Sequence, residues 1–319
     1  MPCTAEHPKV SIIIPVYNGA DYLKNAIDSA LNQTYDNVEI IVVNDGSKDE
    51  GKTTEIARSY GNKIRYVEKE NGGVSSALNL GIQIMTGDYF SWLSHDDEYR
   101  KNKVERQVEL LRGKETEKVI ALCDTEFIDE NSCVLDKAWA TPKSGRYDPE
   151  QALILMIKKS LSGIALLIPK RAFDECGGFD TALRFTQDAD MWRRLFLRGY
   201  SLVVDKTIYA RSRLHGNQQT NMHRERFKKE NEETAPEFCL KLCENNMYAA
   251  AQTFLFTLRR NGITNAACFV ENQLERCGYF PADVRVKAGV YTVYGKIRPY
   301  IRKAYYKLKF GVESKETKS

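Results

Sequence analysis

Two adjacent carboxylates beside an imidazole carry the clearest chemistry in this sequence. They lie in S-H-D-D, residues 94–97, directly after the apolar and aromatic segment at residues 89–93. Like charges this close repel each other, so they need a cation, a shared proton or water. The pattern is typical of a divalent metal site, a catalytic carboxylate pair or a polar turn.

The segments around these carboxylates predict alternating strands and helices. Strands are expected at residues 10–16, 38–43, 64–67 and 89–93, because each is short and rich in β-branched or aromatic residues. Helices are expected at residues 20–32, where apolar residues recur at helical spacing, at residues 52–60, where the helix is polar, and at residues 75–85. This alternation predicts a mostly parallel α/β sheet, followed by a C-terminal region that is helical in pattern.

Three of these strands end in polar tips. The tips are P-V-Y-N-G at residues 15–19, N-D-G-S at 44–47 and S-H-D-D at 94–97. Open α/β sheets bind ligands beyond the carboxyl ends of their strands. We therefore expect the three tips to lie along one rim and to form a ligand site.

Composition and missing motifs narrow the class of protein. The formal charge of +4 over 319 residues is too small to predict nucleic-acid binding. Neither G-x-G-x-x-G after the first strand nor G-x-x-x-x-G-K-[ST] is present, which argues against a dinucleotide site and a P-loop. Eight cysteines without a C-x-x-C pair, and no basic-then-apolar leader, predict reduced thiols and a cytoplasmic location.

Six segments in order resemble glycosyltransferase family two, the inverting transferases with a GT-A type nucleotide-sugar-binding domain. They cover roughly the first 220 residues and read V-S-I-I-I-P-V-Y-N, E-I-I-V-V-N-D-G-S-K-D, E-N-G-G-V-S-S-A-L-N-L-G-I, G-D-Y-F-S-W-L-S-H-D-D, G-G-F-D-T-A-L-R-F-T-Q-D-A-D-M-W-R-R-L and R-L-H-G-N-Q-Q-T. Each segment alone is weak, but six at plausible spacing are specific.

The resemblance implies a transfer from a nucleotide diphosphate sugar, expected to be a UDP-sugar, to an acceptor hydroxyl. It places Tyr17 near the base and Asp45 as acceptor from the base N–H, although Asp45 with Gly46 also fits an Asx turn. The residues assigned to donor binding are Pro15, Val16, Tyr17, Asn18, Asp45, Asn71, Gly72, Gly73, Ser94, His95, Asp96 and Arg213.

The resemblance also implies a divalent cation, Mn²⁺ or Mg²⁺, on the diphosphate. Asp96 matches the last carboxylate of the family's D-x-D motif, whereas Ser94 stands where relatives often carry Asp. In an extended strand Ser94 and Asp96 would share one side. Asp97 is a second candidate ligand, through water, or instead a cap for the next helix. His215 is a further candidate for the metal or a phosphate, with a structural role as the alternative.

The segment Q-D-A-D-M-W, residues 187–192, resembles the place of the catalytic base. Two aspartates two residues apart point in different directions on a helix, and Asp188 matches the family's base. The alternative for Asp188 is a helix N-cap. Arg213 would donate charge-assisted hydrogen bonds to the diphosphate.

The chain is expected to divide into a nucleotide-sugar-binding part at 1–115, an acceptor-binding part of the same domain at 116–222 and a helical extension at 223–319. The last segment places Val290, Val293 and Ile297 at helical spacing among lysines, arginines and tyrosines. Such a helix suits an anionic membrane surface, while packing on the catalytic domain is the alternative. A lipid-linked glycan acceptor follows by analogy.

Two other functional classes fit the sequence less completely. Ser94 stands where relatives often carry a carboxylate, and its absence would suit a protein that binds nucleotide sugars without turnover. A membrane-surface adaptor would use the basic C-terminal segment but would leave the three polar tips unexplained.

Overall fold

The computed structural model describes residues 7–137, 143–214 and 224–310, and these form two compact units. The first unit comprises Met1–Met156 and Ser160–Phe227, and the second comprises Ile157–Lys159 and Lys228–Ser319. The boundary at 227/228 lies near residue 223, where the sequence places the start of the helical extension. All rim segments belong to the first unit.

A ten-stranded mixed sheet forms the centre of the first unit, as far as the structure describes it. The strands run in the order β3-β2-β1-β4-β9-β6-β10-β5, with β7 paired to β6 and β8 to β10. Their bounds are β1 Val10–Val16, β2 Val38–Asn44, β3 Arg65–Glu68, β4 Tyr89–Trp92, β5 Glu98–Tyr99, β6 Val119–Ile128, β7 Val134–Lys137, β8 Gly145–Tyr147, β9 Leu166–Pro169 and β10 Ser201–Arg213.

The first four strands pair in parallel. Val10 of β1 lies in register with Val38 of β2 and Tyr89 of β4, and Ile41 of β2 pairs with Arg65 of β3. All seven residues of β1 are buried, which explains why its sequence is almost continuously apolar. Because these strands run the same way, their polar ends meet at one edge of the sheet.

The second half of the sheet changes direction. Strands β4 and β9, and then β9 and β6, pair antiparallel, whereas β6 and β10 pair in parallel. The predicted α/β class with a helical C-terminal region is therefore confirmed, and "mostly parallel" applies to its first four strands.

Seven helices of the described chain begin before residue 200. They are α1 Leu23–Leu31, α2 Lys52–Ser59, α3 Val74–Ile84, α4 Lys103–Leu111, α5 Pro149–Lys159, α6 Arg171–Cys176 and α7 Gln187–Leu197, with short 3₁₀ helices at Gly61–Lys63 and Gly163–Ala165. Helix α3 packs against β1 and β2 and buries Ala77, Leu78 and Gly81. Gly81 lies so close to Ile13 that an added Cβ would come within 2.5 Å of it, so a small residue is needed there.

The second unit consists mainly of helices. Their bounds are α8 Arg224–Glu244, which begins in the first unit, α9 Tyr248–Asn261, α10 Thr264–Arg276 and α11 Ala282–Phe310. Phe238 and Phe254 meet edge to face at 5.0 Å between ring centroids, and α11 packs along α9. In the described chain, no helix combines the length and apolar character that crossing a bilayer requires.

Candidate active site

A cavity of about 950 Å³ opens in the first unit, at the polar ends of β1, β2 and β4. It brings together residues from all three predicted tips and from the start of α7. The predicted site residues in its wall are Pro15, Val16, Tyr17, Asn18, Asp45, Asn71, Gly72, Gly73, Ser94, His95, Asp96, Asp97 and Asp188.

The first two tips are tied to each other by Asn18. Its backbone N–H donates to Ser47 Oγ at 2.9 Å, and its Oδ1 accepts from the backbone N–H of Lys48 at 2.7 Å. Asn18 adopts a positive φ of 50°, which asparagine tolerates better than most residues. Tyr17 beside it is 40% exposed and offers an aromatic face to the cavity.

The carboxylate of Asp45 is held by the turn that opens helix α3. Its Oδ1 accepts from Lys69 Nζ at 2.7 Å and from the backbone N–H of Gly72 at 3.0 Å. Its Oδ2 accepts from the backbone N–H of Gly73 at 2.7 Å. The side chain therefore reaches across to residues 72 and 73 instead of forming a turn with Gly46. Lys69 was not singled out from the sequence.

Residues 94–97 form a turn and not an extension of the strand. Strand β4 ends at Trp92, and the backbone N–H of Asp97 donates to Ser94 O at 3.1 Å. The strand-alternation argument for Ser94 and Asp96 was therefore wrong, although the turn still brings both into the cavity wall. Ser94, His95 and Asp96 are partly exposed.

Asp97 is buried and serves the fold directly. Its Oδ1 accepts from the backbone N–H of Arg213 at 2.9 Å. Burial and the neighbouring charge of Asp96 raise the pKa of Asp97 well above its usual value. The idea that Asp97 caps the next helix was wrong, since α4 begins at Lys103 after Asn102.

Asp188 lies in the first turn of α7 and lines the cavity. The N-cap position belongs to Thr186, so the alternative role of Asp188 as the cap residue does not apply. Burial raises the pKa of Asp188 to about 6, although its Oδ1 accepts from the backbone N–H of Ala189 at 2.6 Å. A carboxylate with this pKa can accept a proton near neutral pH.

The structure corrects the prediction for Arg213. Its side chain is 0% exposed and does not line the cavity. Its guanidinium donates to the backbone oxygens of Asp96, Asp129 and Glu130. The prediction that Arg213 donates hydrogen bonds directly to the diphosphate is therefore wrong. His215, which was predicted to bind the metal or a phosphate, lies outside the described residues.

The cavity is strongly acidic. Six carboxylates contribute to its wall: Asp21, Asp45, Asp96, Asp97, Glu130 and Asp188. Among the wall residues that the structure describes, Arg184 is the one Arg or Lys, and its guanidinium lies against Gly73. Asp21, Glu130 and Arg184 were missed from the sequence, because they occupy loops without a recognisable spacing and are brought in by the fold.

The wall residues could bind a divalent cation only if the phosphate oxygens of a bound substrate supplied the other ligands. Within the described ranges, no group of three or more His, Cys, Asp or Glu side chains is arranged to hold a metal ion. Mg²⁺ is usually held by one or two carboxylates and by phosphate oxygens of the substrate. The partly exposed Asp96 suits that role, and an acidic cavity needs a cation to accept an anionic diphosphate.

Three buried polar atoms in the wall have no hydrogen-bond partner within the described chain. They are Ser75 Oγ, Trp92 Nε1 and Gln187 Oε1. Buried polar groups are nearly always paired, so these three are exceptions within the wall residues. Gln187 directly precedes Asp188, the residue that matches the family's base.

Comparisons with known proteins agree with this geometry. The model for "Glycosyl transferase family 2" matches residues 11–177. An uncharacterized glycosyltransferase of Rickettsia prowazekii is 50% identical over 217 residues, 67% of this chain and 66% of that protein. Chondroitin synthase of Pasteurella multocida is 32% identical over 213 residues, 66% of this chain but only 21% of its own length.

Solved structures show the same fold. S. aureus TarS 1–349 in complex with UDP-GlcNAc superimposes with a TM-score of 0.67 at 18% identity, covering 93% of this chain and 92% of that one. At this identity the likeness concerns the fold alone. The family model spans more than half of the chain and includes all three polar tips. The motifs, the GT-A type sheet and the match to the family model show that the chain belongs to glycosyl transferase family 2.

Proposed function

We propose that this chain is an inverting glycosyltransferase that moves a sugar from a UDP-sugar to an acceptor hydroxyl. The observation that carries the proposal is the position of Asp188. A carboxylate with a raised pKa lies in the same cavity as the 94–97 turn and the residues expected to hold the nucleotide. A protein that only binds nucleotide sugars has no need of such a base.

In the proposed reaction Asp188 accepts the proton of the acceptor hydroxyl while that oxygen attacks the anomeric carbon. The bond from the anomeric carbon to the diphosphate breaks, and the diphosphate leaves with the electron pair. One base on one side of the sugar means that the anomeric configuration inverts. Arg184 is in the cavity wall, with its guanidinium against Gly73, and is the cationic side chain there that the donor could meet.

We propose Mn²⁺ or Mg²⁺ as the cofactor, held by Asp96. When bound, such an ion offsets negative charge on the leaving diphosphate. Asp97 would support this site from within the protein, because one of its oxygens already accepts the Arg213 N–H. His215 remains a candidate ligand from the sequence.

The donor sugar is proposed to be a hexose or an N-acetylhexosamine. TarS was solved with UDP-GlcNAc, and one relative is named chondroitin synthase.

The acceptor is proposed to be a glycan, and more specifically a lipid-linked glycan of polysaccharide, O-antigen or capsule synthesis at the cytoplasmic face of a membrane. Helix α11 supports this idea. Its exposed residues Val286, Val290, Val293, Ile297 and Tyr300 follow a 4-3-4-3 spacing and form one stripe, whereas Val284 and Ala288 on the opposite side are buried.

Charge favours an anionic lipid surface over a second copy of the chain as the partner of this stripe. By sequence, residues 282–310 carry eight Lys or Arg and one Asp. Two such helices side by side would repel each other, whereas anionic lipids attract basic residues that border an apolar face.

The function is tested with a thermal-shift panel of nucleotides and nucleotide sugars, with and without Mn²⁺. We expect UDP and one UDP-sugar to raise the melting temperature, and Mn²⁺ to enlarge the shift. The active donor is then incubated with membrane extracts, and transfer is followed as release of UDP. Transfer by wild type that is lost in Asp188→Asn supports the proposal. UDP binding without any turnover would favour the nucleotide-sugar-binding alternative.

A further inference from the structure

The buried Arg213 guanidinium bonds to segments that form the cavity wall. An arginine side chain has five N–H donors. Nε donates to Asp96 O at 2.9 Å, and Nη1 donates to Asp129 O at 2.6 Å and to Glu130 O at 3.0 Å. Nη2 donates to Glu98 Oε1 at 2.5 Å and to Ser132 Oγ at 3.0 Å. Each donor thus has its own acceptor.

These acceptors belong to two separate segments that both reach the cavity. One is the turn that carries Asp96, and the other is the loop at residues 129–132 that carries Glu130. Arg213 itself is the last residue of β10. A single buried side chain therefore joins the end of one strand to two loops whose acidic side chains line the wall.

Two further contacts fix the same region. The backbone N–H of Arg213 donates to Asp97 Oδ1 at 2.9 Å. The plane of its guanidinium lies over the ring of Tyr22, 4.6 Å from the centroid, and Tyr22 is another wall residue. The side chain is 0% exposed, so its donors do not contact a ligand in the cavity.

We propose that Arg213 is a positioning residue that holds Asp96 and Glu130 at fixed places in the cavity wall. The proposal rests on the proposed function, in which Asp96 serves the donor. The sequence predicted that Arg213 contacts the phosphate directly. The proposed role is indirect, because Arg213 bonds to the main-chain carbonyls of the segments that carry Asp96 and Glu130. Lysine cannot substitute, since a point charge with three donors cannot serve five acceptors on two loops.

The first test is hydrogen–deuterium exchange of the full chain without ligand. In Arg213→Lys we expect faster exchange in peptides covering residues 94–98 and 129–133. A matched control is Arg100→Ala. Arg100 binds Glu126 of the neighbouring ion pairs but contacts neither segment's carbonyls in the described structure, so the control should leave both peptides unchanged. Unchanged exchange in Arg213→Lys would overturn the proposal.

The second test is a double-mutant cycle on UDP affinity, measured by calorimetry with Mn²⁺ present. Arg213→Lys should weaken UDP binding by about 10- to 100-fold in wild type, as expected when the support of a metal ligand is lost. In an Asp96→Asn background the same change should cost less than about twofold, because its effect passes through Asp96. An equal loss in both backgrounds would overturn the proposal.

A third measurement separates the indirect role from a direct phosphate contact. Without metal, Arg213→Lys should bind UDP as well as wild type does. If Arg213→Lys loses as much UDP affinity without metal as with metal, Arg213 contacts the phosphate directly and the proposal is overturned. If Arg213→Lys does not fold, Glu98→Gln and Ser132→Ala are measured in its place, since each weakens one Nη2 bond. If wild type binds no UDP, the proposed function fails, while the exchange experiment still decides the role of Arg213.

Discussion

Asp45 and Gly73, 28 positions apart, are joined by a hydrogen bond of 2.7 Å from the backbone N–H of the glycine to Oδ2 of the carboxylate. This bond connects the end of β2 to the start of α3. The glycine lies at φ 87° with the Arg184 guanidinium against it, so a larger residue at this point would be strained and crowded. One buried side chain thus sets the position of two cavity walls.

Removal of the Asp45 carboxylate should therefore cost both stability and ligand binding. Asp45→Ala leaves the N–H groups of Gly72 and Gly73 and the Lys69 ammonium without their acceptor. We expect the free energy of unfolding to fall by about 2–4 kcal/mol, measured by urea denaturation. Lys69→Met is the control. It keeps both backbone bonds, so a loss of only about 1 kcal/mol is expected. Equal losses in the two variants would contradict this account.

Asp188→Asn should abolish transfer and stabilise the fold at neutral pH. Burial raises the pKa of Asp188 to about 6, above the usual aspartate value of 3.8. The folded state therefore binds this proton more tightly than the unfolded state does, so stability decreases as pH rises from about 4 to 6. Asparagine removes this penalty, which is of the order of 1–3 kcal/mol above pH 6. Melting curves at pH 4 and pH 7 measure it.

The same pKa predicts the acid limb of the transfer reaction. Activity should fall as pH decreases through about 6, because protonated Asp188 cannot accept the proton of the acceptor. The comparison of kcat/KM between pH 5 and pH 8 measures this limb. A rate independent of pH across that range, or an Asp188→Asn variant that is no more stable than wild type at pH 7, would exclude the assigned role.

Ser94→Asp should make the protein more dependent on a divalent cation. Ser94 lies in the acidic wall beside Asp96 and Asp97. A third carboxylate in this turn adds repulsion when no cation is present and adds a ligand when one is bound. Relative to wild type, we expect a lower melting temperature in EDTA and a larger stabilisation by Mn²⁺. Ser94→Asn controls for size. If Ser94→Asp responds to Mn²⁺ no more strongly than Ser94→Asn, the proposed metal position is incorrect.

Loss of the apolar stripe on α11 should release the protein from anionic vesicles. Val290→Ser with Val293→Ser removes two residues that are 61% and 60% exposed. We expect co-sedimentation with phosphatidylglycerol vesicles to fall at least about fivefold, and wild type to bind phosphatidylcholine vesicles weakly. The control is Val134→Ser with Leu135→Ser, a pair in the first unit that is 52% and 54% exposed. Vesicle binding by wild type that does not weaken as salt is added would argue against a lipid partner. So would dimerisation that depends on protein concentration and occurs without vesicle binding.

The sequence predicted the rim well because local patterns determine it. The buried run of β1, the strand end before Asp45 and the glycines before α3 each follow from spacing and residue type. The position of Asp188 in the cavity also agrees with its motif. These features depend on short segments whose strands run in parallel, so the carboxyl ends meet without further information.

The predictions that failed depend on contacts between distant segments. Arg213 is the last residue of β10, and the sequence around it does not reveal that its five acceptors lie on residues 96–98 and 129–132. Arg184, Asp21 and Glu130 likewise reach the cavity from loops. The arrangement of Ser94 and Asp96 depended on a turn, because β4 ends at Trp92 and the chain does not stay extended through residues 94–97.

Trp92 gives the cavity an optical signal of its own. The indole belongs to the wall, and its ring is packed against Gly163 so tightly that a methyl group there would approach to 2.3 Å. Trp192, by contrast, is 1% exposed and does not line the cavity. The colour and brightness of indole emission respond to the polarity of the surroundings. Occupancy can therefore be followed as a change in intrinsic fluorescence, without a dye, a label or a known acceptor. Comparison with Trp92→Phe isolates the part due to Trp92, since the third tryptophan, Trp139, lies outside the described residues.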